Sequence, residues 1–206
     1  MAKILYGVAG EGFGHSSRSH LTGSRLIEQG HELMFAGSRK SLSYLKQYFP
    51  DQVKEVFGLR LSYSHGKLSV PRTILENIKH APRGLAINKT LFRDHVAGFK
   101  PDLVISDYEP FCAWYARGKK IPCLTIDHQN TLTNLCLDTV KGAWFSRLNA
   151  NTVTRAYYPG IKHHIIINFF NAPVKGAGSV LSPPVLRKEV ITKTPETGPA
   201  IVCYTT

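Results

Sequence analysis

No apolar run in this 206-residue chain approaches the ~20 residues that span a bilayer. The N-terminus carries one lysine and then glycines, with no long apolar segment and no small-residue cleavage site. Neither a membrane span nor a secretory leader is expected. Cysteines are few and dispersed: Cys112, Cys123, Cys136 and Cys203 form no Cys-x-x-Cys pair and no dense framework. That spacing argues against a disulfide scaffold and a zinc site, and for reduced thiols in a cytoplasmic compartment. Acidic residues are scarce as well, 14 against 26 lysines and arginines, which leaves a net charge of +12. Such a surplus favours an anionic partner: nucleic acid, a phosphorylated substrate or an anionic membrane face. The basic residues are scattered, however, with no five-residue basic block and no nucleic-acid module, so nucleic acid is not favoured.

What is present is a globular composition, 43% hydrophobic and 19% charged, with enough apolar residues for a sizeable core. Strand and helix signals alternate. Lys3 to Val8 reads as a buried strand, Ser16 to Gln29 as a helix stopped by Gly30, and Glu32 to Ala36 as a second strand. Ser38 is placed to cap a helix running to about Tyr48, before Pro50, and Val53 to Phe57 gives a short third strand. Residues 58–70 read as an exposed loop, followed by a helical stretch from Pro71 to Phe99 with a break expected near Pro82-Arg83-Gly84. Leu103 to Ser106, "IPCLTID" and "HHIIIN" supply further strands, separated by helices over Pro110–Gly118 and 139–158. Short Val/Ile/Leu runs between helices are what a parallel sheet covered on both faces produces. The expected fold is a doubly wound α/β domain over residues 1–170. Residues 171–199 are rich in Pro, Gly, Ser and Thr and read as a linker, and "AIVCYTT" (200–206) reads as the first strand of a second domain.

The chemistry concentrates in "GVAGEGFGHSSRS", directly after the first strand. In open α/β sheets ligands bind at the carboxyl ends of strands, and a glycine loop leading into a helix N-terminus there suits an anion. A Walker loop is excluded, because no Gly-Lys-Ser/Thr follows. A nicotinamide fingerprint fits poorly: Gly10 and Gly12 are followed by His15, and no acid closes the second strand. Arg39 could accept a 2′-phosphate, so an NADP-dependent oxidoreductase stays open. His15 then stands out, since a histidine at a ligand-facing loop can take a proton from a hydroxyl. The alternative is a ring that only caps its helix. Asp107, in "SDYEP", falls at a second carboxyl strand end, where a carboxylate can orient an imidazole. The competing role for this segment is helix capping. His128 in "DHQN" follows another strand end and lines the same rim or a solvated loop. His163-His164 reads as structural, and Trp114 and Trp144 as core. Phe13 is an unusual aromatic within the glycine loop and a candidate acceptor contact.

These residues resemble the nucleotide-sugar glycosyltransferases of the GT-B architecture, in which two Rossmann-like domains face each other across a cleft. "ILYGVAGEGFGHSSRSHLTGSRLIEQGHELMFAG" is similar to their opening strand, glycine loop with histidine, helix and second strand. "PDLVISDYEPFCAWYARGKKIPCLTIDHQN" is similar to their central strand, aspartate, helix and next strand. The resemblance implies that this chain is the acceptor-side half and that the nucleotide-sugar donor, UDP-linked, is held mainly by a second domain. It implies that His15 is the general base, that Asp107 supports it, and that Gly12, Phe13, Gly14, Ser16 and His128 contact substrate. No metal and no cofactor beyond the donor is implied. The lipid-II-forming N-acetylglucosaminyltransferases share the glycine loop and a basic membrane-facing domain. The expected acceptor is therefore a hydroxyl of a cell-envelope glycan or glycolipid, with the protein peripheral at the inner membrane face. A non-catalytic module of the same fold, binding a polyanion or glycan, is the remaining alternative.

Overall fold

The computed structural model describes all residues except 61, 65, 66, 139, 140, 195, 197 and 199–206. The chain opens with β1 (Lys3–Val8), α1 (Phe13–Glu28), β2 (Glu32–Gly37), α2 (Arg39–Lys46) and β3 (Val53–Glu55). A small antiparallel hairpin follows, β4 (Tyr63–Ser64) with β5 (Lys67–Leu68), within the stretch expected to be a plain loop. Next come α3 (Val70–Thr90), a π-helical turn (Leu91–Val96), α4 (Ala97–Phe99), β6 (Leu103–Asp107), α5 (Pro110–Lys119) and β7 (Cys123–Asp127). The described chain ends with α6 (Thr131–Asn134), α7 (Trp144–Tyr157), β8 (His163–Ile167), β9 (Ser179–Ser182) and α8 (Lys188–Ile191).

Seven strands form one parallel sheet in the order β3-β2-β1-β6-β7-β8-β9. The doubly wound α/β class expected from the alternating pattern is the class observed. The strands read as continuous apolar runs because both faces are covered. Ile4, Tyr6 and Val8 of β1 pack with Leu26 and Ile27 of α1 and Leu42 of α2 on one face. Leu5 packs with Leu91, Val96, Cys112 and Ala116 on the other. Each such fully buried side chain contributes roughly 1.5–3 kcal/mol of burial free energy.

Several boundaries differ from the sequence reading, each for a physical reason. β9 pairs with β8 inside the stretch expected to be a linker. Its four residues lie between Gly178 and Pro183, so turn signals hide the strand. α3 runs unbroken through Pro82. The carbonyl that Pro82 leaves without its donor belongs to Ile78, an exposed residue, where water can serve it. Gly84 is a packing glycine instead, since a Cβ there would stand 2.5 Å from the Phe57 ring. The irregularity comes later, at Leu91–Val96, where a five-residue spacing brings Leu91 and Val96 into one core. Trp114 and Trp144 are 41% and 65% exposed, so neither is a core residue. The strand expected over 200–206, with Cys203, lies outside the described residues. Cys112, Cys123 and Cys136 are free thiols. Among the described residues no helix is long and apolar enough to cross a membrane.

Candidate active site

The direction of winding reverses between β1 and β6. β2 and β3 lie on one side of β1, while β6 is its neighbour on the other. A crevice opens at the carboxyl ends of strands at such a switch point. Val8 and Asp107, the last residues of the two strands, are paired in register, and the Ala9 amide donates to the Asp107 carbonyl at 2.9 Å. Helix α1 rises from this place. Gly12, at φ 75°, turns the chain into it in the left-handed region, which costs a glycine little. The helix starts at Phe13, three residues earlier than expected, so His15 sits in its first turn. The face of α1 on the sheet is made of small residues, Ser16, Ser19 and Gly23. A Cβ at Gly23 would meet the Phe35 ring at 2.4 Å. That small face brings α1 close enough for its first turns to reach Asp107.

Asp107 is fully buried and accepts four hydrogen bonds. His15 Nδ1 lies 2.6 Å from Oδ1, and Arg18 donates from Nη2 to Oδ1 at 2.6 Å and from Nε to Oδ2 at 2.9 Å. Ser19 Oγ donates to Oδ2 at 3.2 Å. His15, Arg18 and Ser19 stand at i, i+3 and i+4 and so share one helix face. Burial works to raise the Asp107 pKa, but Arg18 and His15 outweigh it and hold the carboxyl below its ordinary value. Burial likewise works against the Arg18 charge, and Asp107 reverses it. An ionised Asp107 requires the Nδ1–H tautomer of His15. The 3.2 Å between Arg18 Nη2 and His15 Nδ1 is then the spacing of two donors converging on one oxygen. Nε2 is the ring nitrogen left to accept a proton.

Around this cluster, Tyr108 lies beside the His15 ring, with centroids 6.4 Å apart and planes 15° from parallel. Its own φ of 54° is an uncommon conformation for a bulky residue. Its amide donates to the Tyr158 hydroxyl at 2.7 Å. Tyr158 in turn hydrogen-bonds the buried carboxylate of Asp127, whose pKa is pushed up to about 6 chiefly by burial. Asp127 Oδ1 and Oδ2 also accept from the backbone and side chain of Asn130, both at 2.8 Å. The helix-capping role belongs to Glu109, which accepts from the amides of Phe111 and Cys112 at 3.0 and 2.7 Å.

A model of glycosyl transferase family 1 matches residues 2–206. The chain belongs to glycosyl transferase family 1. Two uncharacterized glycosyltransferases of Methanosarcina acetivorans are each 32% identical to it. The alignments run over 138 and 132 residues, 63% and 62% of this chain and 34% and 32% of theirs. The chain thus spans about a third of the length of the curated relatives it matches. SsfS6, a glycosyltransferase of Streptomyces sp. SF2575, superposes at a TM-score of 0.52 over 91% of this chain and 56% of that one. At 17% identity that likeness is one of fold.

Within this family-1 domain the other residues singled out from sequence fall into two groups. Gly12 and Gly14 face open space, and Phe13 is 59% exposed at the head of α1. His128 is exposed at the end of β7, its Nδ1 donating to the Ile167 carbonyl at 2.9 Å. Ser16 is a correction: its side chain is fully buried against the sheet, so it presents nothing to a ligand. His164 is buried between Thr125 Oγ1 at 2.9 Å and the Ile161 carbonyl at 3.2 Å, a structural role. Arg39, the expected partner for a 2′-phosphate, is paired with Glu11. Sequence reasoning missed Arg18, Ser19 and Asp127. The first two become visible once α1 starts at Phe13, and Asp127 ends its strand as Asp107 does.

Proposed function

We propose that this domain activates an acceptor hydroxyl for glycosyl transfer from a nucleotide sugar, with His15 as the general base. The observation that carries the reading is the 2.6 Å contact between His15 Nδ1 and Asp107 Oδ1 at the carboxyl edge of the sheet. A hydroxyl has a pKa far above 7 and attacks well only while it passes its proton to a positioned base. His15 Nε2 takes that proton as the hydroxyl oxygen bonds to the anomeric carbon. The bond from that carbon to the donor phosphate breaks, and the nucleoside diphosphate leaves. Asp107 stabilises the imidazolium so formed, and Arg18 keeps Asp107 ionised and in place. Gly12 and Gly14 leave the head of α1 open to substrate, and His128 stands on the same rim. The donor is assigned to a UDP-sugar, held largely by residues outside this domain.

The acceptor is a glycan or glycolipid hydroxyl, met in the cytoplasm at an anionic membrane face. Supporting this, α3 turns Ile74, Leu75, Ile78 and Leu85 outward at 54–72% exposure, flanked by Arg72, Lys79 and Arg83. Outward apolar residues beside cations favour an anionic interface. Vesicles of phosphatidylglycerol should retain the protein, phosphatidylcholine vesicles should not, and Leu75→Asp with Ile78→Asp should release it.

The reaction itself is tested on the full-length protein by following nucleoside diphosphate release from UDP-sugars with and without acceptor. Release that needs both substrates is expected. Hydride transfer from NADPH without nucleotide release would overturn the reading in favour of an oxidoreductase.

A further inference from the structure

Beside the candidate active site, the seam between α1 and α2 opens into a second groove of about 460 Å³. It is lined by Phe13, Arg39, Lys40, Ser43, Tyr44 and Gln47. Three features set it apart from an ordinary stretch of surface. First, it exposes aromatic faces that a folded domain would otherwise bury: Phe13 is 59% and the neighbouring Tyr48 49% exposed. Phe13, Tyr44 and Tyr48 form a row, with ring centroids 6.3 and 5.2 Å apart. Second, cations border the row. Lys40 Nζ stands 5.4 Å from the Phe13 ring centroid, Arg39 lines the groove, and Arg187 hydrogen-bonds the Tyr44 hydroxyl. Glu11, paired with Arg39, is the acid that meets them. Third, Arg39 holds a left-handed φ of 49° directly after the Ser38 cap, a conformation that non-glycine residues adopt at a cost.

The aromatic row, the polar lining and the cations each match one part of an acidic sugar. The C–H face of a pyranose lies against an aromatic ring, hydroxyls pair with Ser43 and Gln47, and a carboxylate or phosphate meets the basic side chains. Phe13 and His15 share the first turn of α1 but face different ways, Phe13 toward α2 and His15 toward Asp107, so the groove and the proposed base flank the head of one helix. We infer that this groove binds an anionic saccharide unit of the acceptor, beyond the sugar whose hydroxyl reacts. The inference rests on the glycosyl-transfer reading for its location, and on the groove alone for its chemistry. A pocket of this volume suits a small ligand better than an extended strand of nucleic acid.

Titration calorimetry on the full-length protein tests it with four probes: tetragalacturonate, its uncharged methyl ester, inorganic phosphate and an oligothymidylate. Tetragalacturonate should bind about tenfold more tightly than its ester. Phe13→Ala and Lys40→Ala should each weaken it about threefold or more, because ring and cation both act. Arg117→Ala with Lys119→Ala, at the far end of α5, should leave it unchanged. Equal loss in that distant pair, or equal affinity for the ester, would overturn the proposal. So would oligothymidylate binding more tightly through the same residues, or phosphate binding as tightly with no dependence on Phe13. His15→Ala separates the two readings. Binding kept with transfer lost in that variant supports both, whereas a wild-type protein that carries out transfer and does not bind tetragalacturonate overturns only this one.

Discussion

His15 Nδ1 and Asp107 Oδ1 stand 2.6 Å apart although 92 positions of sequence separate them. The sheet makes this contact. Residues that follow β1 and residues that end β6 come from opposite winding directions and meet at the one place where those directions diverge. The small face of α1 then closes the remaining distance.

Arg18 is the structural keystone of that contact. Replacing it with Met leaves a buried carboxylate without the guanidinium that pairs with it, and breaking a buried pair from one side costs about 3–5 kcal/mol. Arg18→Lys should recover only part of the loss, because an ammonium cannot reproduce the two-pronged contact. Urea unfolding of the three proteins checks this, and a loss below about 1 kcal/mol in Arg18→Met would show the pair to be dispensable.

Two buried carboxylates give opposite pH responses. Asp107 has a folded pKa below its unfolded value. Its contribution to stability is complete above the unfolded pKa and is lost as pH falls through the folded one. Asp127, pushed up to about 6, disfavours the folded state in its ionised form. Its penalty begins above the unfolded carboxylate pKa near ~4 and is complete above the folded value, reaching about 3 kcal/mol. Asp127→Asn removes that pH-dependent penalty together with the hydrogen bonds one carboxylate oxygen accepts, a loss that does not vary with pH, so the pH trend isolates the ionisation. The stability of the variant relative to wild type should therefore rise between about pH 4.5 and 8, as read from denaturant midpoints at matched salt. A difference that stays flat with pH would contradict the assignment.

The glycine loop separates required glycines from incidental ones. A Cβ at Gly10 would stand 2.5 Å from the Ser38 carbonyl oxygen, a backbone atom, so Gly10→Ala should cost about 1–3 kcal/mol. Gly14 lies within α1 with no atom in reach of a Cβ, and Gly14→Ala should stabilise by about 0.5–1 kcal/mol. Thermal melts of the two variants should move in opposite directions.

The sheet was legible in the sequence because both of its faces are covered, which makes every central strand a plain apolar run. His15 and Asp107 were legible for a related reason: chain position alone places them at carboxyl strand ends. Arg18 and Ser19 were not, because Gly14 made the first turn of α1 look like loop and hid the i, i+3, i+4 relation. β9 was lost among glycines and prolines, since an edge strand of four residues leaves little periodicity to detect. The exposure of Trp144 and of the α3 apolar residues depends on what those helices face, and helical spacing is silent on that.

The most direct test of the account is kcat of glycosyl transfer in the full-length protein with His15→Ala. General-base assistance is typically worth 10²- to 10⁴-fold, about 3–5 kcal/mol of barrier, and kcat should fall by roughly that factor while the protein stays folded. Asp107→Asn should cost less if it acts through the ring, and the double variant should fall short of the sum. A His15→Ala protein that keeps more than about half of the wild-type kcat would contradict the account and leave His15 as a residue that only helps seat the start of α1.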